Sequence, residues 1–274
     1  MINTQDESPK HQLKLERVGI KNLKTLIKID RNNKEFRHIP KINIFMDLNE
    51  DKKGVHMSRF IESITEILED EVRDNHKSLE QIGKHILEKL KIKHSYVSAE
   101  IEFESEIPIY EKTPVSQKDT IEIHDVKVTL RNNNGSWIKV LEVSVVGNTA
   151  CPHALAVNKK GTHIQRAIGT LRIETDFDND IDLEEMISAV ENSFSARVFT
   201  LLKTEDESFV VDKMHKNPLF VEDVCRNMLS LASSKFKKSK IHAECLSYES
   251  IHRHDVFAEG AIETRKLQLY YLVG

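Results

Sequence analysis

Between Val97 and Glu104 the chain alternates without a break, Val97, Ala99, Ile101 and Phe103 against Ser98, Glu100, Glu102 and Glu104. Successive side chains of a strand point to opposite faces, so this run belongs to a strand with one buried face and one solvated face. What precedes it has another period. Phe60, Ile61, Ile64, Ile67, Leu68 and Val72 recur at helical spacing. Ser78 with Gln81 makes a capping box, opening a helix whose stripe is Leu79, Ile82, Ile86 and Leu90. Strands are expected from Leu13 to Ile29 and from Ile39 to Leu48, joined by a polar turn at Asn32 and Asn33. A further strand is expected from Thr120 to Leu130, its alternation slipping at His124-Asp125 as at a bulge. Asn134-Gly135 marks a tight turn into the strand Trp137 to Val146.

The second half repeats the order. After the strands Trp137 to Val146 and His163 to Thr175, a helix opens at Asp182 with Glu185 three residues on. Another opens at Asn217-Pro218, a cap followed by a first-turn proline. Strands Ile241 to Tyr248 and Val256 to Tyr271 close the unit. Each half therefore reads strand, strand, helix, helix, strand, strand. This predicts an α+β fold with antiparallel sheets and helices on one face, a tail at 1–12, one unit at 13–135 and a second at 136–274. A sheet covered on one side has another face and two edges to dispose of, which points to a homo-oligomer.

Composition excludes several classes. At 274 residues with 39% hydrophobic and 31% charged residues, the chain can bury a core. A net charge of -4 provides no global basic field for nucleic acid. The basic run at Lys235, Lys237, Lys238 and Lys240 and the acidic run at Asp176, Asp178, Asp180 and Asp182 read as solvated faces. No stretch approaches the ~18 consecutive apolar residues of a membrane span, and the polar start lacks a signal-peptide core. Three cysteines, Cys151, Cys225 and Cys245, follow no disulfide framework. The expectation is a cytoplasmic protein with reduced thiols and no membrane partner.

Chemistry concentrates at strand ends. Cys151 follows the strand Trp137 to Val146 in Gly147-Asn148-Thr149-Ala150-Cys151-Pro152-His153, as a candidate metal ligand or nucleophile or a small buried hydrophobe. His163 lies twelve residues on, where a hairpin-like return would bring it back beside the cysteine. Glu249 and His252 form a Glu-x-x-His pair at another strand end. One sulfur, two imidazoles and a carboxylate make a plausible set for Zn²⁺ or Fe²⁺. Glu222, in a helix, could accept the donors of a guanine edge or simply face solvent. His56, Ser58 and Arg59 at a helix entry offer a phosphate site or plain capping. His254 is a candidate proton shuttle.

In order along the chain stand Lys53-Gly54-Val55-His56-Met57-Ser58-Arg59, Thr149-Ala150-Cys151-Pro152, His163-Ile164-Gln165-Arg166, Phe220-Val221-Glu222-Asp223 and Glu249-Ser250-Ile251-His252. Together they resemble the type IB GTP cyclohydrolase family, most closely its archaeal, methanopterin-pathway branch. The resemblance implies a tunnelling fold of two tandem ββααββ units assembled into oligomeric barrels of four subunits or more. It implies a metal held by Cys151, His163, Glu249 and His252, Fe(II) in the archaeal branch, with Zn or Mn as the alternatives. GTP would be the substrate, its guanine anchored by Glu222 and its phosphates met by Arg59 and Arg166. Cys151, His254 and His56 would move protons, and the product would be 7,8-dihydroneopterin 2′,3′-cyclic phosphate with formate. Many relatives carry a second cysteine where this chain has His153. Two other readings remain: a nitrile reductase of the same fold with a covalent cysteine, and a non-catalytic oligomeric scaffold with structural zinc.

Overall fold

The computed structural model describes residues 4–31, 34–71 and 78–264. The chain divides into two compact units, Met1–Glu106 with Lys127–Val140, and Ile107–Val126 with Leu141–Gly274. The repeat expected from pattern has its break at residue 135. The observed division instead runs through three strands of 15 residues each, β5 (Ser98–Lys112), β6 (Asp119–Asn133) and β7 (Ser136–Ala150).

In the first unit β1 (Leu15–Lys24) pairs antiparallel with β4 (Lys41–Leu48), and β4 with β5. The long first strand expected up to Ile29 is broken. At Asn22 the backbone takes φ 60°, its N–H is turned to Asn43 Oδ1 at 2.8 Å, and the β1–β4 register shifts between Ile20 and Leu23. Beyond the break β2 (Ile27–Arg31) and β3 (Lys34–His38) form a separate two-stranded ribbon. The Asn32-Asn33 turn lies outside the described residues. Helices α1 (Met57–Glu71) and α2 (Leu79–Lys93) follow, and Ser78 caps α2 through its hydroxyl to Gln81 N; Val72 lies outside the described residues. Phe60 and Ile64 of α1 and Ile82, Ile86 and Leu90 of α2 are buried. So are Ile42 and Ile44 of β4 and Ile101 and Phe103 of β5, the alternation expected of that strand.

The amino-terminal segment is not the free tail that its polarity suggests. Thr4–Asp6 forms a short 3₁₀ turn. Gly54 N donates to Gln5 O and Lys53 N to Glu7 O, so the turn satisfies the loop before α1. Between β6 and β7, Asn134 (φ 49°) and Gly135 (φ 90°) make the expected tight turn in the left-handed region.

The second unit orders its carboxy-terminal strands β7-β8-β10-β11, with β9 (Ala196–Arg197) paired to β7. The others are β8 (Ile164–Asp176), β10 (Ser239–Ser247) and β11 (Val256–Glu263). After the short α3 (Pro152–Val157), α4 (Leu183–Glu191) opens on Asp182, whose Oδ1 accepts from Glu184 N and Glu185 N. The apolar core joins Leu171 and Ile173 of β8, Met186 and Val190 of α4, Val224 and Met228 of α6 (Val221–Lys235), and Ile241 and Ala243 of β10. The backbone of Gly147 approaches Phe194 so closely that a Cβ there would stand 2.2 Å from the ring.

Three expectations change here. Asn217 ends a helix and does not start one: it caps α5 (Thr204–Lys216), a helix absent from the sequence reading, while α6 starts at Val221. The strand expected to reach Tyr271 is seen to Glu263, and 265–271 lie outside the described residues. In β6 the alternation does not slip at His124. Thr120, Glu122 and His124 are the buried set, and Ile121 and Ile123 the exposed one. Glu122 can face inward because it is bonded: it accepts from Thr200 N at 3.0 Å, from Thr200 Oγ1 at 2.8 Å and from Thr120 Oγ1 at 2.9 Å. No described helix is long and apolar enough to cross a membrane.

Candidate functional site

The site is built where β7, β8 and β10 end in the second unit. Cys151 leaves β7 half-buried and caps α3, its Sγ accepting from Ala154 N at 3.4 Å. Its backbone N–H donates to His163 O at 3.2 Å, and Thr162 Oγ1 donates to Cys151 O at 2.6 Å. The return expected between Cys151 and His163 is therefore present. His163 Nδ1 stands 3.8 Å from Glu249 Oε2, and both side chains are largely buried. His252 and His254 lie in the exposed loop between β10 and β11, their rings stacked at 5.2 Å between centroids.

Arg166 is exposed on β8, its carbonyl accepting from Tyr248 N at 2.9 Å. Glu222 is exposed in the first turn of α6. Leu219, three residues before it, bridges Ala150, the residue before Cys151. Burial pushes the Cys225 thiol up and that of Cys245 up to about 12, consistent with two buried small hydrophobes. Among the described residues, no three His, Cys, Asp or Glu side chains as placed converge closely enough to hold a metal. Cys151, His163 and Glu249 nevertheless supply the thiol, imidazole and carboxylate that suit a borderline divalent ion.

His56 and Arg59 belong to the first unit. They line a cavity of about 170 Å³ together with Asp6, Asp47, Lys52 and His94. His56 Nε2 is 3.5 Å from Asp6 Oδ2, and Arg59 Nη1 donates to Lys93 O at 3.1 Å. Burial pushes the His94 ring below its ordinary 6.5; a hydrogen bond with His56 O opposes this, while the charges of Arg59, His56 and Lys52 add to it. The unfolded chain then binds a proton that the folded chain does not. Stability from this group is complete above about pH 6.5 and is lost as pH falls through that value towards the lower folded pKa. The urea midpoint is thus expected to fall between about pH 8 and about pH 5.5, less steeply in His94→Gln. Equal slopes in the two proteins would remove His94 as a cause.

The groups that hold these side chains carry little signal in the sequence. Gln165 is 9% exposed and bonds His163. It shares the inward face of β8 with Ala167, Gly169, Leu171 and Ile173, and one amide in that period-two apolar row was the available signal.

Antiparallel strands with helices on one face place the chain among the tunnelling-fold proteins. The uricase of Arthrobacter globiformis matches it with a TM-score of 0.57 over 92% of this chain and 94% of its own, at 9% identity, a likeness of fold alone. A family model described as type I GTP cyclohydrolase folE2 matches residues 1–258, and the chain belongs to that family. GTP cyclohydrolase MptA of Pyrococcus furiosus is 49% identical over 263 residues, 94% of this chain and 98% of that protein. The MptA of Methanococcus maripaludis is 35% identical over 303 residues, 97% and 96% of the two chains.

Proposed function

We propose that this chain is a metal-dependent cyclohydrolase that opens the guanine ring of GTP, with 7,8-dihydroneopterin 2′,3′-cyclic phosphate and formate as products, in pterin cofactor biosynthesis. The observation that carries the reading is the backbone pairing of Cys151 with His163 and the 3.8 Å approach of His163 to Glu249 in a member of this family. The activity after which the MptA relatives are named supports it.

Cys151, His163, Glu249 and His252 would hold the ion, Fe(II) in the native protein and Zn or Mn as substitutes. When bound, it supplies Lewis acidity and water activation near neutral pH. Water adds at guanine C8, the five-membered ring opens, and a second hydrolysis releases that carbon as formate. The freed amine then closes onto the ribose-derived carbons, and attack of the neighbouring hydroxyl on the α-phosphate forms the cyclic phosphate and expels diphosphate. Glu222 accepts the N–H and amino donors of the guanine edge. Arg166 meets the phosphates as a cationic donor. Cys151 and His254 carry protons to and from the opening ring. The second unit's order ends on β11 and the first unit's on β1. These sheet edges and the exposed Ile121 and Ile123 support a homo-oligomer.

Anaerobic protein loaded with Fe(II) is expected to release one formate per GTP, together with the cyclic phosphate. Formate with the triphosphate would replace the product assignment. No formate with Fe²⁺, Zn²⁺ or Mn²⁺ would remove the cyclohydrolase reading.

A further inference from the structure

Behind His163 runs a chain of hydrogen bonds whose middle members are buried. Gln165 Oε1 lies 2.9 Å from His163 Nδ1 and 3.4 Å from Ser250 Oγ. Its Nε2 is 2.9 Å from Thr149 Oγ1, Thr149 Oγ1 is 3.0 Å from Ser247 Oγ, and Ser247 Oγ is 3.4 Å from Glu249 Oε1. Thr149 and Ser247 are each 1% exposed. The chain crosses β7, β8 and β10, joining His163 to Glu249 through three side chains to which the cyclohydrolase reaction assigns no role.

The polarity of such a chain is set by its ends. A carboxylate only accepts, so the Ser247 hydroxyl donates to Glu249. The single hydroxyl proton of Ser247 is then used, and its oxygen accepts from Thr149. Thr149 has likewise spent its proton, so it accepts from Gln165, and the amide must present nitrogen to Thr149 and oxygen to His163. Opposite an amide oxygen the imidazole nitrogen must donate, which puts the ring proton on Nδ1. Glu249 Oε2, 3.8 Å from the same nitrogen, is beyond hydrogen-bond reach and leaves the amide as the acceptor that fixes the proton. Nε2 is left with its lone pair. Had the amide been turned over, the imidazole would carry its proton on Nε2 and could not ligate through that atom.

We infer that Gln165, Thr149 and Ser247 are positioning residues. They lock His163 in the tautomer protonated on Nδ1 and present Nε2 as its only lone pair. The metal consequence rests on the reading of His163 as a ligand; the tautomer does not. An imidazole held by an acceptor behind it is both oriented and more basic towards a cation, and loss of such a partner costs about 10–100-fold in metal affinity.

The test uses the full chain, metal-free and labelled with ¹⁵N-histidine, with the His163 signals assigned by comparison with His163→Gln. One-bond and multiple-bond ¹H–¹⁵N spectra are expected to show His163 protonated on Nδ1. Gln165→Glu keeps an acceptor opposite that nitrogen and is expected to keep the tautomer; Gln165→Leu is expected to lose it. Zn²⁺ titration against a chromophoric chelator should then show Gln165→Leu binding about 10–100-fold more weakly than the parent, with circular dichroism confirming a folded variant. A parent ring protonated on Nε2, or a Gln165→Leu variant that keeps both tautomer and affinity, overturns the inference. A parent that shows the Nδ1–H form but takes up no Zn²⁺ supports the relay and removes the metal reading instead.

Discussion

Cys151→Ala is expected to lower formate release from GTP by about 10³-fold or more while leaving the protein folded. Two roles converge on that sulfur in the proposed reaction, holding the ion and moving a proton, and an alanine methyl can do neither. The structural cost is small for identifiable reasons. The backbone N–H of Cys151 donates to His163 O and its carbonyl accepts from Thr162 Oγ1, and both bonds survive the substitution. What is lost is the cap from Sγ to Ala154 N, at 3.4 Å. It serves a helix of six residues that buries none of them. A lost cap costs about 1 kcal/mol, far short of unfolding the chain. The discriminating measurement is therefore formate release beside the urea midpoint. Unchanged turnover in Cys151→Ala would sink the site assignment, whereas lost turnover with a collapsed midpoint would make the cysteine structural.

The alternation from Ala99 to Phe103, the capped helix after Ser78, the Asn134-Gly135 turn and the Asp182 cap were legible because each is a local rule in a few consecutive residues. So was the approach of Cys151 to His163, since a short return between paired strands can be read from spacing. Helix α5 was not. Its buried set is Val210, Met214 and the carboxylate of Asp206, too little apolar surface for a stripe. Its charges held the available signal, with Glu205, Asp206 and Glu207 in the first turn and Lys213, His215 and Lys216 in the last. Burial alone would raise the Asp206 pKa, but it is held well below the usual carboxylate range by the Ser116 hydroxyl and the backbone N–H groups of Ser116, Lys203 and Val115. Those partners lie up to 91 residues away. The inward Glu122 and His124 were read as a slip in β6 for the same reason: their partners come from elsewhere in the chain.

Arg197 is the extreme case of a partnership that local pattern hides, and Arg197→Met is expected to cost about 3 kcal/mol at pH 8. From the two-residue strand β9 its guanidinium donates to Glu111 of β5 and to Glu191 of α4, 2.7 Å away, and lies 5.1 Å from the Phe199 ring centroid. His124 Nε2 is 3.9 Å from Glu191. Burial pushes the Glu191 carboxyl up to about 7; Arg197 pulls it back, and Glu111 and Glu122 push it further. Without the guanidinium, Glu111 and Glu191 face each other with no cation between them. Removing one partner of a buried pair costs more than the pair contributes, because the remaining charge stays out of water. The pH dependence identifies the cause. A carboxyl whose folded pKa lies above its unfolded value favours folding fully below about 4.5 and loses that contribution as pH rises through about 7. The Arg197→Met penalty should therefore shrink towards pH 5, where Glu191 is protonated, and Glu191→Gln should recover part of it at pH 8. A penalty of equal size at both pH values, untouched by Glu191→Gln, would mean that lost packing against Phe199 carries the effect and that the charges do not.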